Sequence, residues 1–533
     1  MSMDKENIPA LILEILKARG FETEEEMRSF LFSGISSLSD PFTIPRLKEA
    51  CETLLEAMSQ EKKIFVYGDG DVDGICSAFL LLAFMNGQGM KTPFYLTHRL
   101  DENYEMETAF IDELKKNGYS ILITVDCGIS SLEAMRKAEE SGIKCIILDH
   151  HIGDNRKNLP ASHIYVNPYT DKWDANVSCL SGAGIAFKFV AGMEQLMPSC
   201  KGKKVSDLFE IPCLASLADF VPLKGENRIF VKEGIRRLPF TSIKGLQFIQ
   251  DYYGLKPPLT TRDIIMKLNP KLNSPGRLGK PEVVLELFLE NDSAVISKLI
   301  DEIDRMDKER YRAVSKIMKQ IESTEDSSRG FILSGDNCKG LSGIIASRLS
   351  EKYNRPFMVC YEKNETVRGS IRTPDGYYLN NVKSEIEKYM DEMGGHRHAV
   401  GFKCSSVNVD KVREAWDSVE WKADEIMAYD CELDIDRLNP VIIGEMFRYL
   451  EPFGKGNPMP IFLCRDVFIK NIRNGSQKRF WVKKEASFFE AVMANGLDIP
   501  QGKEKTDVYY TPCLREAGGL YRIFLRISGV ENQ

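Results

Sequence analysis

Residues 64–74 read Ile-Phe-Val-Tyr-Gly-Asp-Gly-Asp-Val-Asp-Gly, a short apolar run followed at once by three aspartates. Three more apolar runs lie at Ile121–Val125, Cys145–Leu148 and Ile164–Val166, and stretches with helical character separate them. Continuous apolar runs of this length are typical of strands that a parallel sheet buries on both faces. We therefore predict an α/β domain with a parallel sheet over residues 61–250.

The rest of the chain divides into four further regions. Residues 1–60 have helical periodicity, and residues 251–328 form a connecting region in which apolar residues recur at helical spacing after Pro281. Residues 329–424 alternate apolar runs with a helix near residues 344–353, which predicts a second, smaller α/β domain. Residues 425–533 are rich in predicted strands and turn signals, which indicates a β-barrel or a β-sandwich.

The composition is that of a globular protein with several domains. The chain has 533 residues, of which 43% are hydrophobic and 28% are charged, and these values exclude wholesale disorder and fibrous classes. Its 71 basic and 78 acidic residues give a net charge of −7, so it is not a general polyanion binder. Any contact with nucleic acid must therefore use a local basic groove.

The sequence predicts a cytoplasmic protein without membrane spans. Its longest apolar run, Ile75–Met85, is much shorter than the ~20 residues that a bilayer span requires. The first residues are acidic and lack the order of a signal peptide. The thirteen cysteines include no Cys-x-x-Cys pair, so we expect reduced thiols rather than disulfides or a zinc site.

Acidic and imidazole side chains follow three of the predicted strands. The first strand leads into the aspartates of residues 69–73, the second ends at Asp126, and the third ends at Asp149-His150-His151. Because ligands bind at the carboxyl ends of parallel strands, we expect these groups to converge. Carboxylates so close together need cations to stay ionised, and oxygen ligands with imidazole suit Mn²⁺ or Mg²⁺.

Each of these groups has a simpler explanation when it is taken alone. An Asp-x-Asp-Gly sequence usually forms a turn, Asp126 can begin a helix as its N-cap, and a His-His pair can lie on the surface. Their joint occurrence at successive strand ends favours a shared metal site.

The same residues resemble the motifs of the DHH phosphoesterase superfamily, which is named for a triplet like Asp149-His150-His151. The resemblance to the RecJ branch of that superfamily covers residues 62 to 533 in order. Its further motifs are Asp219, Leu180–Gly184, Asn273 with Gly276-Arg277, Gly343–Arg348, Ser370 with Arg372, Gly394–His396, and Leu450–Pro458. It implies a parallel-sheet catalytic domain, a long connecting helix, a smaller α/β DHH-associated domain and a C-terminal OB-like β-barrel.

The resemblance implies a two-metal centre. The implied ligands of two divalent cations, Mn²⁺ or Mg²⁺, are Asp69, Asp71, Asp73, Asp126, His150 and Asp219. Asp126 is the expected bridge between the cations. Asp149 and His151 are the expected catalytic residues, which position the scissile phosphate and orient the ligand imidazole. Two such cations lower the pKa of a bridging water and stabilise the charge on the phosphate.

The resemblance also implies contacts with a substrate. A pocket for a 5′ phosphate and the cleft beside it would use six residues: Arg99, Arg277, Ser370 and Arg372 for the pocket, and Arg348 and His396 for the cleft. Guanidinium groups match phosphate geometry, although a single arginine more often forms a surface salt bridge. In the C-terminal region several aromatic residues offer stacking faces, and we expect most of them to lie in the barrel core.

Three residues depart from the pattern of the branch. Gly70 stands where an aromatic residue is usual, Asn103 where glycine is usual, and Cys338 where histidine is frequent. None is an implied metal ligand, so the departures concern loop stiffness and the substrate path rather than the type of reaction.

The favoured prediction is a single-strand-specific 5′→3′ DNA exonuclease that releases 5′-mononucleotides in recombination and repair. Single-stranded DNA is the expected substrate, a helicase and a single-strand-binding protein are the implied partners, and we expect a monomer. The sequence does not decide between DNA and RNA.

Three alternatives stay open. A short-oligonucleotide or cyclic-dinucleotide phosphodiesterase, or an inorganic pyrophosphatase, would share the metal site but would not need the connecting helix and barrel. A non-catalytic scaffold would have a degenerate site, whereas every implied ligand is present.

Overall fold

The computed structural model describes residues 7–98, 106–153, 158–322, 330–335, 338–374, 377, 379, 383–396, 398–421, 429–473, 477–493, 499, 505–517 and 520–532. The chain forms two compact units. The first contains Arg28–Arg310 and Leu450–Pro458, and the second contains Lys5–Met27, Tyr311–Tyr449 and Met459–Gln533.

The first unit is built on a five-stranded parallel sheet. Its strands are β1 (Ile64–Gly68), β2 (Phe94–Leu96), β3 (Ile121–Val125), β4 (Lys144–Leu148) and β5 (Ile164–Val166). They lie in the order β2-β1-β3-β4-β5. Every residue of β3 and β5 is buried, as expected where helices cover both faces of a sheet.

Helices pack on the two faces of this sheet. One face is covered by the larger core and by the helices Leu47–Ser59, Val72–Gly87, Gly182–Leu196, Glu210–Ala218 and Gly225–Arg237. The other face is covered by the helices Thr108–Lys116 and Leu132–Glu140. The first unit continues with Lys244–Tyr252, Thr261–Asp263, the π-helix Ile264–Leu268, and Asn269–Arg277.

The connecting region contains two helices in series, Glu282–Leu289 and Ser293–Glu322. The second has 30 residues and is therefore roughly 45 Å long. Its residues up to Arg310 belong to the first unit, and those from Tyr311 onward belong to the second.

The second unit contains the smaller α/β domain. Its strands are β6 (Phe331–Ser334), β7 (Phe357–Lys363), β8 (Thr366–Arg372), β9 (Glu392–His396) and β10 (Ala399–Ser405), in the order β6-β7-β8-β10-β9. Its helices are Ser342–Tyr353, Lys383–Glu387 and Val409–Ser418. Separate apolar clusters lie on the two faces of this sheet, so it too is covered on both sides.

The C-terminal strands form a closed barrel. They are β11 (Cys431–Glu432), β12 (Phe462–Arg473), β13 (Lys478–Lys484), β14 (Ser487–Met493), β15 (Thr506–Ala517) and β16 (Leu520–Asn532). Pairing of β12 with β15 closes β12–β16 into five strands. The predicted fold class, with an OB-like barrel after two α/β domains, is therefore confirmed.

The other helices are Ala10–Ala18, Glu24–Phe32 and Pro440–Leu450.

The segment Leu450–Pro458, which resembles the opening of the barrel, is packed in the first unit. The guanidinium of Arg228 donates hydrogen bonds to the carbonyl oxygens of Leu450, Glu451 and Pro452 at 3.1, 3.2 and 3.2 Å. It also donates to the carbonyl oxygen of Phe30 at 2.8 Å. Arg228 is only 4% exposed, so these carbonyls replace water around a buried charge.

Two expectations from composition can be compared with the structure. None of the described helices has both the length and the hydropathy of a membrane span. All thirteen cysteines are free thiols in the structure.

Candidate metal centre

The strand order creates a crevice at one edge of the parallel sheet. The chain leaves β1 for the edge strand β2 and then returns to β3 on the other side of β1. Such a reversal opens a ligand site at the carboxyl ends of the two diverging strands. Asp69 directly follows β1, Asp126 directly follows β3, and Asp149 directly follows β4. The carboxylates predicted to converge therefore lie at one edge.

The predicted ligands form three overlapping groups in which the ligand atoms lie within 4.8 Å of one another. The groups are Asp69 with Asp71 and Asp126, Asp73 with His150 and Asp219, and Asp126 with His150 and His151. All six implied metal ligands are thus brought together. His151, which was implied as a catalytic residue, lies among them.

The aspartate loop is fixed by the starts of two helices. Asp71 is the N-cap of helix Val72–Gly87, and its Oδ1 accepts hydrogen bonds from the amides of Asp73 and Gly74 at 3.0 and 3.2 Å. The carboxylate of Asp73 accepts from the amides of Gly182 and Ala183 at 2.8 and 2.7 Å, at the start of helix Gly182–Leu196. Helix N-termini favour negative charge, so both helices stabilise these carboxylates.

Asp126 adopts an unusual backbone conformation. Its φ is +58°, in the left-handed region that non-glycine residues seldom occupy. A Cβ at Gly182 would lie 2.6 Å from Asp126 Oδ1, so the carboxylate can hold this position only because residue 182 has no side chain. Asp126 is not a helix N-cap, since the next helix begins at Leu132 with Ser131 before it.

His150 faces three carboxylates. Its Nε2 lies 3.1 Å from Asp126 Oδ1, 3.6 Å from Asp219 Oδ2 and 3.7 Å from Asp73 Oδ2. His150 Nε2 and Asp126 Oδ1 are buried, yet neither has a hydrogen-bond partner among the described residues. Buried polar atoms are normally paired, and metal ligands are a common exception. The residues present therefore fit a divalent cation with oxygen and imidazole ligands.

The electrostatics of the cluster also favour a bound cation. Burial, with the charges of Asp73 and Asp71, raises the pKa of Asp126 well above its usual range. Burial raises the pKa of Asp73 to about 7, although the charge of His150 opposes this rise. The anionic forms of these side chains are thus costly in the protein alone, and a bound cation would stabilise them.

Asp149 and His151 are paired with each other, and the carboxylate is buried while the imidazole is half exposed. Asp149 Oδ1 lies 2.8 Å from His151 Nδ1, while Oδ2 accepts from the amide of Ile129 at 3.0 Å. Burial opposes both charges, but their attraction and hydrogen bond lower the pKa of Asp149 to about 2 and raise that of His151 to about 10. Among the described contacts Asp149 orients His151, whereas the resemblance implied that it orients His150.

Two supporting residues were missed by the sequence analysis. Thr97 Oγ1 donates to Asp69 Oδ1 at 2.5 Å, and Asn167 Nδ2 donates to the carbonyl of His151 at 3.0 Å. Thr97 directly follows β2 and Asn167 directly follows β5. The signal that identified Asp126, a polar residue at a strand end, was therefore present for both.

The structure also bears on the three departures from the branch pattern. A Cβ at Gly70 would lie 1.7 Å from the carbonyl oxygen of Thr97, so this backbone leaves no room for a side chain. Cys338 is buried in an apolar cluster, and burial raises the pKa of its thiol. Asn103 lies outside the described residues.

The implied substrate contacts are spread over both units. Arg277 ends helix Asn269–Arg277 in the first unit, and Arg99 lies outside the described residues. In the second unit Ser370 Oγ is 3.3 Å from Ser342 Oγ, at the start of helix Ser342–Tyr353. Arg372 lies at the same helix start, because a Cβ at Gly343 would be 2.9 Å from its Nη2. Ser370 and Arg372 are thus brought together.

The last two implied contacts also lie in the second unit. Arg348, on helix Ser342–Tyr353, has its guanidinium 5.5 Å from the centre of the Tyr311 ring. His396 ends β9, and its backbone is paired with that of Ala399 on β10.

The barrel aromatics divide into core and surface. Phe462 and Phe480 are buried, as expected for most of them. Trp481 and Phe488 are exposed, with ring centres 5.4 Å apart, and border a cleft of about 450 Å³.

Comparison with known families defines the class of protein. The N-terminal domain of the DHH family matches residues 63–215, the DHHA1 domain matches residues 331–422, and the RecJ OB domain matches residues 429–528. The chain therefore contains a DHH N-terminal domain, a DHHA1 domain and a RecJ OB domain in that order, which confirms the resemblance.

Two relatives that are similar in sequence are both named RecJ. The chain is 29% identical over 514 residues to the single-stranded-DNA-specific exonuclease RecJ of Bacillus subtilis, covering 93% of this chain and 64% of that protein. It is 27% identical to RecJ of Thermus thermophilus, covering 78% of this chain and 61% of that protein. The chain thus spans slightly less than two thirds of these two relatives.

Solved structures support the fold. RecJ of Thermus thermophilus in complex with Mn²⁺ superimposes with a TM-score of 0.78 at 22% identity, covering 99% of this chain and 79% of that one. A second structure, exonuclease RecJ bound to manganese, gives a TM-score of 0.59 at 25% identity, covering 72% of this chain and 95% of that one.

Proposed function

We propose that this chain is a metal-dependent exonuclease that hydrolyses single-stranded DNA from its 5′ end and releases 5′-mononucleotides, in recombination and repair. The observation that carries the proposal is the convergence of six predicted ligands around Asp126 Oδ1 and His150 Nε2, two buried atoms that have no hydrogen-bond partner in the described part of the chain. Two relatives that align with 93% and 78% of this chain are named as exonucleases specific for single-stranded DNA.

Six side chains would hold two divalent cations, Mn²⁺ or Mg²⁺: Asp69, Asp71, Asp73, Asp126, His150 and Asp219. Such cations lower the pKa of a bound water and stabilise the charge that develops on the phosphate. Asp126 contributes to two of the three ligand groups, which supports its role as the bridge. The helix starts behind Asp71 and Asp73 hold these carboxylates before substrate binds.

His151 is the group that would meet the scissile phosphate. Its Nδ1 is occupied by Asp149, so its Nε2 is the ring nitrogen left to donate a hydrogen bond to a phosphate oxygen. The side chain is 48% exposed, so substrate can approach it. Asp149 acts as a positioning residue that maintains the charge and orientation of the imidazole.

The 5′ end of the strand would be recognised by Arg99, Arg277, Ser370 and Arg372, with Arg348 and His396 along the cleft. Support comes from the grouping of Ser370 and Arg372 at a helix start, where backbone amides and a guanidinium favour a phosphate. A pocket for the terminal phosphate would select strands by their 5′ end, so that cleavage starts there.

The remaining parts of the proposal follow from the family resemblance. We infer a cytoplasmic monomer that works on DNA opened by a helicase and covered by a single-strand-binding protein. Trp481 and Phe488 on the barrel surface are suited to stack on bases of the strand.

The test uses the full chain with Mn²⁺ and a long single-stranded DNA labelled at its 3′ end, with Asp126→Ala as the inactive control. We expect stepwise shortening from the 5′ end, and no shortening of blunt duplex. Survival of the long strand while dinucleotides or pyrophosphate are hydrolysed would select the short-substrate alternatives. No hydrolysis of any substrate would select the scaffold.

A further inference from the structure

The helix that carries Asp219 to the metal centre ends in an unusual way. Asp219 is the residue after helix Glu210–Ala218, and the amide of Val221 donates back to the carbonyl of Ser216 at 3.3 Å. Phe220 lies between them with a φ of +56°. This is a Schellman-type helix end, in which the left-handed position is normally occupied by glycine.

A phenylalanine at this position has no structural explanation. A bulky residue in the left-handed region is strained, because its Cβ crowds the backbone. The strain is not offset by packing, since Phe220 is 55% exposed. Backbone strain that persists without a packing gain is a reason to look for function at that residue.

Phe220 directly follows the metal-site carboxylate Asp219 in the chain and leads into a well-supported loop. Asp219 Oδ2 is 3.6 Å from His150 Nε2, and the Cα atoms of Asp219 and Phe220 are about 3.8 Å apart. The loop after Phe220 is anchored, because Leu223 donates its amide to the carbonyl of Lys455 at 2.7 Å and Asn227 donates to the carbonyl of Pro222 at 3.1 Å.

We propose that Phe220 is a stacking platform for the nucleobase next to the scissile phosphate. This inference rests on the proposed function and deepens it, because it assigns a base contact beside the metal ligands. A nucleotide whose phosphate lies at the cluster would have its base within reach of the residue that follows Asp219. Stacking on an aromatic ring is insensitive to base identity, which suits an enzyme that degrades any sequence.

The variants that test this role do not require a disrupted fold. Phe220→Gly introduces the residue that the helix end prefers, so its melting temperature should be equal to or above that of the wild type. We expect its KM for single-stranded DNA to rise about tenfold, and Phe220→Trp to restore it. Phe240→Ala is the matched control, because Phe240 is an 82% exposed ring of the same unit, and its KM should not change.

A binding measurement without turnover makes the test independent of activity. In the Asp126→Ala background, a strand with 2-aminopurine as its 5′-terminal base should be quenched on binding, and the added Phe220→Gly substitution should remove most of the quenching. If the quenching is equal with and without Phe220, and the wild type hydrolyses single-stranded DNA, only the stacking role is overturned. Quenching that depends on Phe220, together with no hydrolysis of single-stranded DNA by the wild type, would instead reject the proposed function and leave the base contact in place.

An abasic substrate provides the second arm. The wild type should slow about tenfold when the nucleotide beside the scissile phosphate lacks its base. Phe220→Gly should cut abasic and normal strands at similar rates, because the contact is already lost. Additive effects of the substitution and of the missing base would contradict the proposal.

Discussion

Asp149 and His151 are linked by a hydrogen bond of 2.8 Å between Oδ1 and Nδ1, and the carboxylate is buried while the imidazole is half exposed. The pair thus joins the interior of the sheet to the surface where substrate would bind. The mutual attraction and hydrogen bond lower the pKa of Asp149 to about 2 and raise that of His151 to about 10, so each member favours the charged form of the other.

Removing the charge of Asp149 should reduce turnover without unfolding the protein. In Asp149→Asn the side chain keeps its size, but the imidazole loses its anionic partner, so we expect a fall of about 10- to 100-fold in kcat. Circular dichroism should show an unchanged fold. Activity within twofold of the wild type would show that the pair has no role in the reaction.

Binding of Mn²⁺ should stabilise the wild type and should depend on Asp126. A ligand that binds only the folded state adds about 2.7 kcal/mol at 100 times its Kd, so the melting temperature should rise by several degrees. Asp126→Ala should lose this rise, whereas Asp251→Ala, which removes an exposed carboxylate of the same unit, should keep it. An equal rise in both variants would place the cation elsewhere.

Gly70→Ala should weaken metal binding. The new Cβ would meet the carbonyl of Thr97, and the loop must shift between the two ligands Asp69 and Asp71. We expect the Mn²⁺ concentration for half-maximal activity to rise at least tenfold. Gly444→Ala is the matched control, because a Cβ there meets nothing within 4 Å and alanine favours the helix by about 1 kcal/mol. An unchanged Mn²⁺ requirement in Gly70→Ala would show that the loop can shift without weakening metal binding.

Loss of one partner from a buried ion pair in the first unit should strongly destabilise the protein. Lys188 and Glu226 are each 2% exposed, and their Nζ and Oε2 atoms are 2.6 Å apart. Lys188→Met leaves Glu226 charged and buried, so we expect a loss of about 3–5 kcal/mol in the first unfolding transition with denaturant. Lys48→Met, which breaks an exposed pair with Glu52, should cost less than about 1 kcal/mol. Similar costs for both would show that Glu226 relaxes to water.

Arg372→Ala tests the proposed end recognition. Loss of the guanidinium should weaken the use of strands with a 5′ phosphate more than strands with a 5′ hydroxyl, because only the phosphate offers a bidentate partner. The measurement is the ratio of kcat/KM for the two ends. An equal loss for both ends would remove Arg372 from the pocket.

The sheet and the convergence of the acidic side chains could be predicted from the sequence because both depend on local patterns. Buried parallel strands are continuous apolar runs, and the predicted Ile121–Val125 and Ile164–Val166 match β3 and β5. The residues that end such strands share one edge by geometry, which is why Asp126 and Asp149 were found without any knowledge of contacts.

What escaped prediction depends on tertiary contacts between distant residues. Nothing local to Phe220 in the sequence distinguishes a left-handed, exposed ring from a core phenylalanine. The spacing of Asp149 from its two histidines does not tell which imidazole it contacts, and only the fold places Oδ1 against His151. Likewise the docking of Leu450–Pro458 depends on Arg228, which lies 222 residues from Leu450.

The contact between Arg228 and the segment Leu450–Pro458 affects how the protein folds during synthesis. The buried guanidinium of Arg228 receives three of its carbonyl partners from Leu450, Glu451 and Pro452. A nascent chain that has been translated only through Glu322 holds the whole parallel sheet and every proposed metal ligand, yet lacks these three acceptors. The first unit therefore gains its full set of contacts only after residue 458 has left the ribosome. Gene fragments that end before this point encode an unfinished first unit.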